Sequence, residues 1–275
     1  MKNLGLHLYS ILVAVATLCL IVSGAMVATE DGTPEGWHRA IGALVAVLVI
    51  GLGAALAITK THEWLRRLGR VAVAVTIADA GLGLLTGPAS APASPMASMA
   101  HAFLAPILLS LVAAIALATS RSWQRDPIFI QDQGWPPLRG VARNTLVLVV
   151  IQVGLGAAFR YGSIGVMVHI LGALIVVVFI LTLVVLITLM PEHPTLRSAA
   201  ITLGVVTFVQ IFLGLTVVSM GSAKANAGVA AGVAAAHVAT GAVTLAATLV
   251  VALEVWRNVR PAVQTEAAKD QELSS

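Results

Sequence analysis

The sequence predicts an all-α membrane protein with eight transmembrane helices, set as two pseudo-symmetric four-helix bundles with both termini cytoplasmic. Three observations carry that expectation. The 275 residues are 59% hydrophobic and only 10% charged, with a mean hydropathy of +0.97, whereas a soluble domain carries about 25% charged residues. The apolar residues gather into eight runs, each close to the ~20 residues a helix needs to cross the hydrocarbon core. The basic residues fall unevenly on the loops between those runs.

The runs cover residues 7–29, 37–59, 68–87, 99–119, 141–159, 165–190, 198–219 and 229–256. The first is too long for the roughly 7–15-residue apolar region of a signal peptide, so it reads as a retained helix. With the N-terminus inside, all but three of the sixteen Lys and Arg fall on inner segments; Arg39, Arg160 and Lys224 are the exceptions. That is a positive-inside bias and fixes the orientation. Trp64, Trp123, Trp135 and Trp256 then form an inner interfacial belt and Trp37 an outer one.

The longest loop, residues 121–140, holds Pro127, Gly134, Pro136 and Pro137 and divides the chain. The expected organisation is an N-terminal half at 1–125, a cytoplasmic linker at 126–140, a C-terminal half at 141–260 and a polar, disordered tail at 261–275. Residues 88–98, rich in Pro, Ala and Ser and free of charge, read as an irregular outer cap. The single cysteine, Cys19, excludes a disulfide within the chain and a cysteine-based zinc site.

The halves look like repeats, and each half like two helix pairs. The odd helices end alike, at Val22-Ser23-Gly24-Ala25, Ala80-Gly81-Leu82-Gly83, Gln152-Val153-Gly154-Leu155-Gly156 and Gln210-Ile211-Phe212-Leu213-Gly214. Small residues let membrane helices approach closely. Each even run opens with one histidine: His38, His101, His169 and His237, all at the outer side. The residue four positions on, one turn deeper on the same face, is Gly42, Ala105, Ala173 or Gly241. A flat ring held by an imidazole needs a bare shelf of that kind. Polar groups within a membrane mark function by default, and paired imidazoles on facing helices suit haem iron. The four histidines are therefore read as haem ligands.

Glu35 is read either as a helix cap, since carboxylates favour helix N-termini, or as a carboxylate at the pocket edge one turn before His38. Arg39 either pairs a haem propionate or sits in water. Gln152 and Gln210, amides at matched positions, are read as interhelical hydrogen-bonders. His7, His62 and His193 break the register and are read as solvated interface residues.

With these residues in view, the chain resembles the haem A synthase family of membrane oxidases over essentially its whole length to about residue 260. That family also has eight helices in two halves, with a histidine opening each even helix. Its Glu-x-x-His-Arg element is matched by Glu35-Gly36-Trp37-His38-Arg39, and its remaining histidines by His101, His169 and His237 in order. The resemblance implies oxidation of a porphyrin methyl of haem O to the formyl of haem A. The substrate haem would lie near His38 and His101, with Glu35 as the catalytic carboxylate. A haem B cofactor would sit on His169 and His237. It also implies a multi-pass protein of the cell (inner) membrane with its haems near the outer face. Its partners would be the lipid bilayer, an electron donor, and haem O synthase or terminal oxidase subunits, with no nucleic acid. The chain departs from the family in its first outer loop, residues 29–36, which is short and has no cysteine pair. Two other readings share the same ligands: a non-catalytic di-haem b cytochrome, and a haem-handling accessory subunit of terminal oxidase assembly.

Overall fold

In the computed structural model, residues 4–27, 35–59, 61–86, 94–132, 135–189, 193–222 and 226–261 are described. The expected tail and most of the residue 88–98 loop lie outside them, as does most of the first outer loop. Eight helices dominate: α1 (Leu4–Val27), α2 (Glu35–Ile58), α3 (Glu63–Leu85), α4 (Pro95–Thr119), α5 (Leu138–Arg160), α6 (Val166–Thr188), α7 (Pro194–Ser222) and α8 (Ala227–Asn258). All eight are long and apolar enough to cross a membrane.

The helix starts follow local chemistry. Pro95 opens α4, where a missing N–H costs nothing, and the Ser94 side chain accepts from Ala97 N. The Asn226 side chain accepts from Gly228 N and Val229 N at the start of α8. Asp132 reaches forward to accept from Leu138 N at 2.7 Å, opening α5. His193 Nδ1 accepts from Leu196 N at the start of α7. That role corrects the reading of His193 as solvated: it is buried, 3% exposed. His7 is half-buried with Nδ1 2.9 Å from Ala116 O, while His62 is exposed as expected.

The segment after α4 is tied to the end of α8. Ile130–Gln131 (β1) and Val259–Arg260 (β2) pair in parallel. Arg139 donates to Trp256 O at 2.7 Å. Arg257 donates to the carbonyls of Trp123 and Arg125 and lies over the Trp123 ring. Buried hydroxyls along the helices, among them Thr17, Thr76, Thr145 and Thr248, donate to the carbonyl one turn earlier, so they enter the apolar interior already satisfied.

The hydrophobic interior has three parts. One joins α1–α4 around Val13, Leu52, Leu56, Leu108 and Ile115. Another joins α5–α8 around Ile180, Leu183, Leu203, Leu245 and Val251. The third, formed by Ile21, Leu109, Ala242 and Ala246, joins α1, α4 and α8 across the middle. Helices α4 and α8 pack on each other and are the most buried of the eight. The alanines of α8 at that contact allow the close approach. The outer faces of α6 and α7 expose Leu174, Val178, Leu181, Phe208, Phe212 and Leu215, as surfaces solvated by lipid tails would.

Candidate paired-histidine sites

The four histidines come together in two pairs. The ring centroids of His38 and His101 are 6.1 Å apart with planes at 77°. Those of His169 and His237 are 6.4 Å apart at 85°. All four rings are half-buried. They reach that common depth from different helical positions. His38 and His169 lie one turn into α2 and α6, whereas His101 lies two turns into α4 and His237 three turns into α8. The expectation that each histidine opens its helix therefore holds for the first and third only; α4 and α8 begin earlier, at their Ser94 and Asn226 caps.

Each ring rests on the glycine that closes the repeat of the preceding odd helix. A Cβ on Gly24 would lie 2.8 Å from His38 Cε1, one on Gly83 3.3 Å from His101 Cε1, one on Gly156 3.3 Å from His169 Cε1, and one on Gly214 3.0 Å from His237 Cε1. These glycines are seats for the imidazoles. Glycines below the histidines of the second pair also border side chains of the odd helices. A Cβ on Gly241 would meet the Gln210 amide at 3.1 Å, and one on Gly172 would meet Gln152 Oε1 at 2.3 Å. The shelf in the second pair thus makes room for glutamines from the odd helices.

Those odd helices also supply a partner to each ring. Ser23 Oγ donates to Leu20 O at 2.9 Å and lies 3.0 Å from His38 Nδ1, so it accepts the Nδ1 proton. His101 Nδ1 lies 3.1 Å from the main-chain oxygen of Asp79 and 2.8 Å from its Oδ1. The N–H points to the carbonyl, so Oδ1 stands beside the ring as a charge without a directed hydrogen bond. Both arrangements place the proton on Nδ1 and leave the Nε2 lone pair open. In the other pair, Gln152 Nε2 lies 3.0 Å from His169 Nδ1 and Gln210 Nε2 lies 3.4 Å from His237 Nε2. Gln152 Oε1, Gln210 Oε1 and His237 Nδ1 are buried without partners. Gln152 Nε2 also donates to His169 O at 2.9 Å, which ties the α5 amide to the α6 backbone.

The arrangement fits haem. Among the described residues no group of three or more His, Cys, Asp or Glu side chains could hold a metal ion. A porphyrin supplies four ligands itself and asks the protein for two. An imidazole nitrogen binds a first-row metal at about 2 Å and lies about 1.1 Å from its ring centroid, so two rings in line on one iron set their centroids about 6.3 Å apart. The observed spacings bracket that value. An imidazole on a metal carries a partner on its second nitrogen; Nδ1 has such a neighbour in Ser23 at His38, Asp79 at His101 and Gln152 at His169, whereas Gln210 lies against Nε2 of His237.

Glu35 and Arg39 form an ion pair with each other, one turn apart at the start of α2. Glu35 is half-buried and Arg39 exposed, and both charges act on His38. Asp79 escaped the reading of the sequence. Its signal was a carboxylate inside an apolar run, four residues before Gly83 as Gln152 and Gln210 are before Gly156 and Gly214. The other carboxylate inside an apolar run, Glu254, accepts from Asn258 Nδ2 at the inner end of α8 and takes no part in the pairs. A cavity of about 350 Å³ beside the start of α3 and the end of α8, lined by His62, Trp64, Trp123, Arg125 and Arg257 among others, contains none of the four histidines. No protein-family model and no curated protein matches the chain.

Proposed function

We propose that this chain is a haem-binding membrane oxidoreductase of the haem A synthase type. It would act on haem O at His38 and His101 and keep a haem B cofactor on His169 and His237. The observation that carries the reading is the two imidazole pairs, with ring centroids 6.1 and 6.4 Å apart, close to what two imidazoles holding one iron would require, and with a polar neighbour at each ring. The matched glycine seats support a pseudo-two-fold relation between the halves. The basic-residue bias supports cytoplasmic termini, sites near the outer face, and residence in the cell membrane.

Bound haem supplies the redox chemistry. The protein's contribution is positional. The glycines set ring depth, Ser23 and Asp79 fix the Nδ1 proton, and the glutamines orient the second pair. Glu35 and Arg39 stand at the outer edge of the first pair only. Arg39 would pair a haem propionate, and Glu35 would take a proton or offset positive charge as the porphyrin methyl is oxidised. Each of two hydroxylations would consume one dioxygen, two electrons from a donor in or at the membrane and two protons and release one water, and the resulting gem-diol would lose a second water to leave the formyl; haem O synthase and terminal oxidase subunits would be the partners that supply substrate and receive product.

A di-haem b cytochrome is the second reading. The near-equal spacing of the two pairs and the short, cysteine-free first loop favour it. Haem extracted from the purified protein and identified by mass separates the two. Haem O or haem A beside haem B supports the oxidase; haem B alone supports the cytochrome; no haem overturns both.

A further inference from the structure

The two pairs differ in charge. The ring partners are a hydroxyl at His38, a carboxylate at His101 and amides at His169 and His237. Asp79 is 5% exposed, and among the described residues no lysine or arginine forms an ion pair with it. Glu35, the other carboxylate near the first pair, is matched by Arg39. The first pair thus has a buried carboxylate with no Lys or Arg partner among the described residues, and the second has amides in its place. Burying such a group is costly unless a positive charge sits beside it. Ferric iron in a porphyrin carries one positive charge more than ferrous iron, so a carboxylate 2.8 Å from the His101 ring favours the ferric state, and a low-dielectric interior enlarges the effect.

Resting on the haem reading above, we propose that Asp79 is a positioning and charge-compensating residue. It holds the iron on His38 and His101 at a lower reduction potential than the iron on His169 and His237. Electrons then reside by preference on the second pair, and the first pair receives them only as it turns over. A carboxylate that merely tied α3 to α4 would affect folding and ring orientation but would leave no difference in potential between the sites.

The test is an optical redox titration of the full-length protein loaded with haem B. Two waves are expected, the lower one absent from His101→Ala. In Asp79→Asn, at a fixed potential near the lower midpoint, the reduced-to-oxidised ratio at the first pair should rise about tenfold, which is a shift of about 59 mV for one electron. The upper wave should not move. The reciprocal variant Gln210→Glu places a carboxylate in the matching position of the second pair and should lower the upper wave. An unmoved lower wave in Asp79→Asn with haem still bound overturns the proposal. If Asp79→Asn loses its haem, Gln210→Glu decides, and an unmoved upper wave overturns it. Absence of haem from the wild-type first pair would be seen as missing stoichiometry. It would remove the haem reading itself, and this proposal with it.

Discussion

Alanine substitution at the four glycine seats should weaken haem binding in a graded order. Carbon atoms in good contact lie about 3.5–4.0 Å apart. A Cβ would sit 2.8 Å from the ring at Gly24, 3.0 Å at Gly214 and 3.3 Å at Gly83 and Gly156. To restore 3.5 Å, the imidazole must retreat by about 0.7, 0.5 and 0.2 Å respectively. Against this, alanine improves helix propensity over glycine by up to about 1 kcal/mol. At Gly83 and Gly156 the two effects nearly cancel. At Gly24 and Gly214 the crowding wins, because overpacking costs about 1–3 kcal/mol and the ring is held between its glycine and its polar partner. That cost corresponds to about 5- to 150-fold in haem affinity. The assay is a haem titration followed by reduced-minus-oxidised spectra, with Gly24→Ala reading the first site and Gly214→Ala the second. Gly81→Ala is the control, since a Cβ there meets nothing within 4 Å on the same helix as Gly83. Equal affinity in all five variants would refute the idea that these glycines seat the ligands.

Removing His169 or His237 by alanine should abolish the stable haem B spectrum, whereas His38→Ala or His101→Ala should leave it largely intact and abolish conversion; a tightly bound haem B on the first pair would reverse the assignment of the halves. Glu35→Gln should retain haem and fold normally, because partly exposed ion pairs contribute only about 0–1 kcal/mol, while formation of oxidised haem falls sharply. Unchanged product in that variant would return Glu35 to a helix-end role. Reporter fusions at Pro92 and Lys224 should mark the outer side and those at Arg67 and Gln131 the inner side; an inner signal at Pro92 would contradict the topology.

Hydropathy alone placed all eight helices in order, because a spanning helix must be apolar over most of its length. It missed the true starts of α3 and α4, at Glu63 and Pro95. Those first turns are polar or proline-led and lie beyond the apolar core. Glu63 there ties together Arg66, Arg67 and Arg70, which hydropathy can only read as loop. The histidines and the repeat glycines were visible as a pattern, but their relation was not. The sequence suggests room for a haem at i+4 below each histidine; that each imidazole also rests on a glycine across the helix interface is revealed only by the packing of odd on even helices. Asp79 and Ser23 were likewise legible as residues and silent as partners until α3 and α1 were set against α4 and α2. The centrality of α4 and α8 had no sequence signal either, since helices apolar on every face do not announce which face will be covered.

The central claim is that each imidazole pair takes one haem. Titration of the purified full-length protein with haem B to saturation, with iron per chain and low-temperature spectra recorded together, tests it directly. The account predicts two haems per chain, both low-spin with two imidazole ligands, and one lost on removing any single histidine. Saturation at fewer than two, or at two with all four histidines replaced, would contradict it.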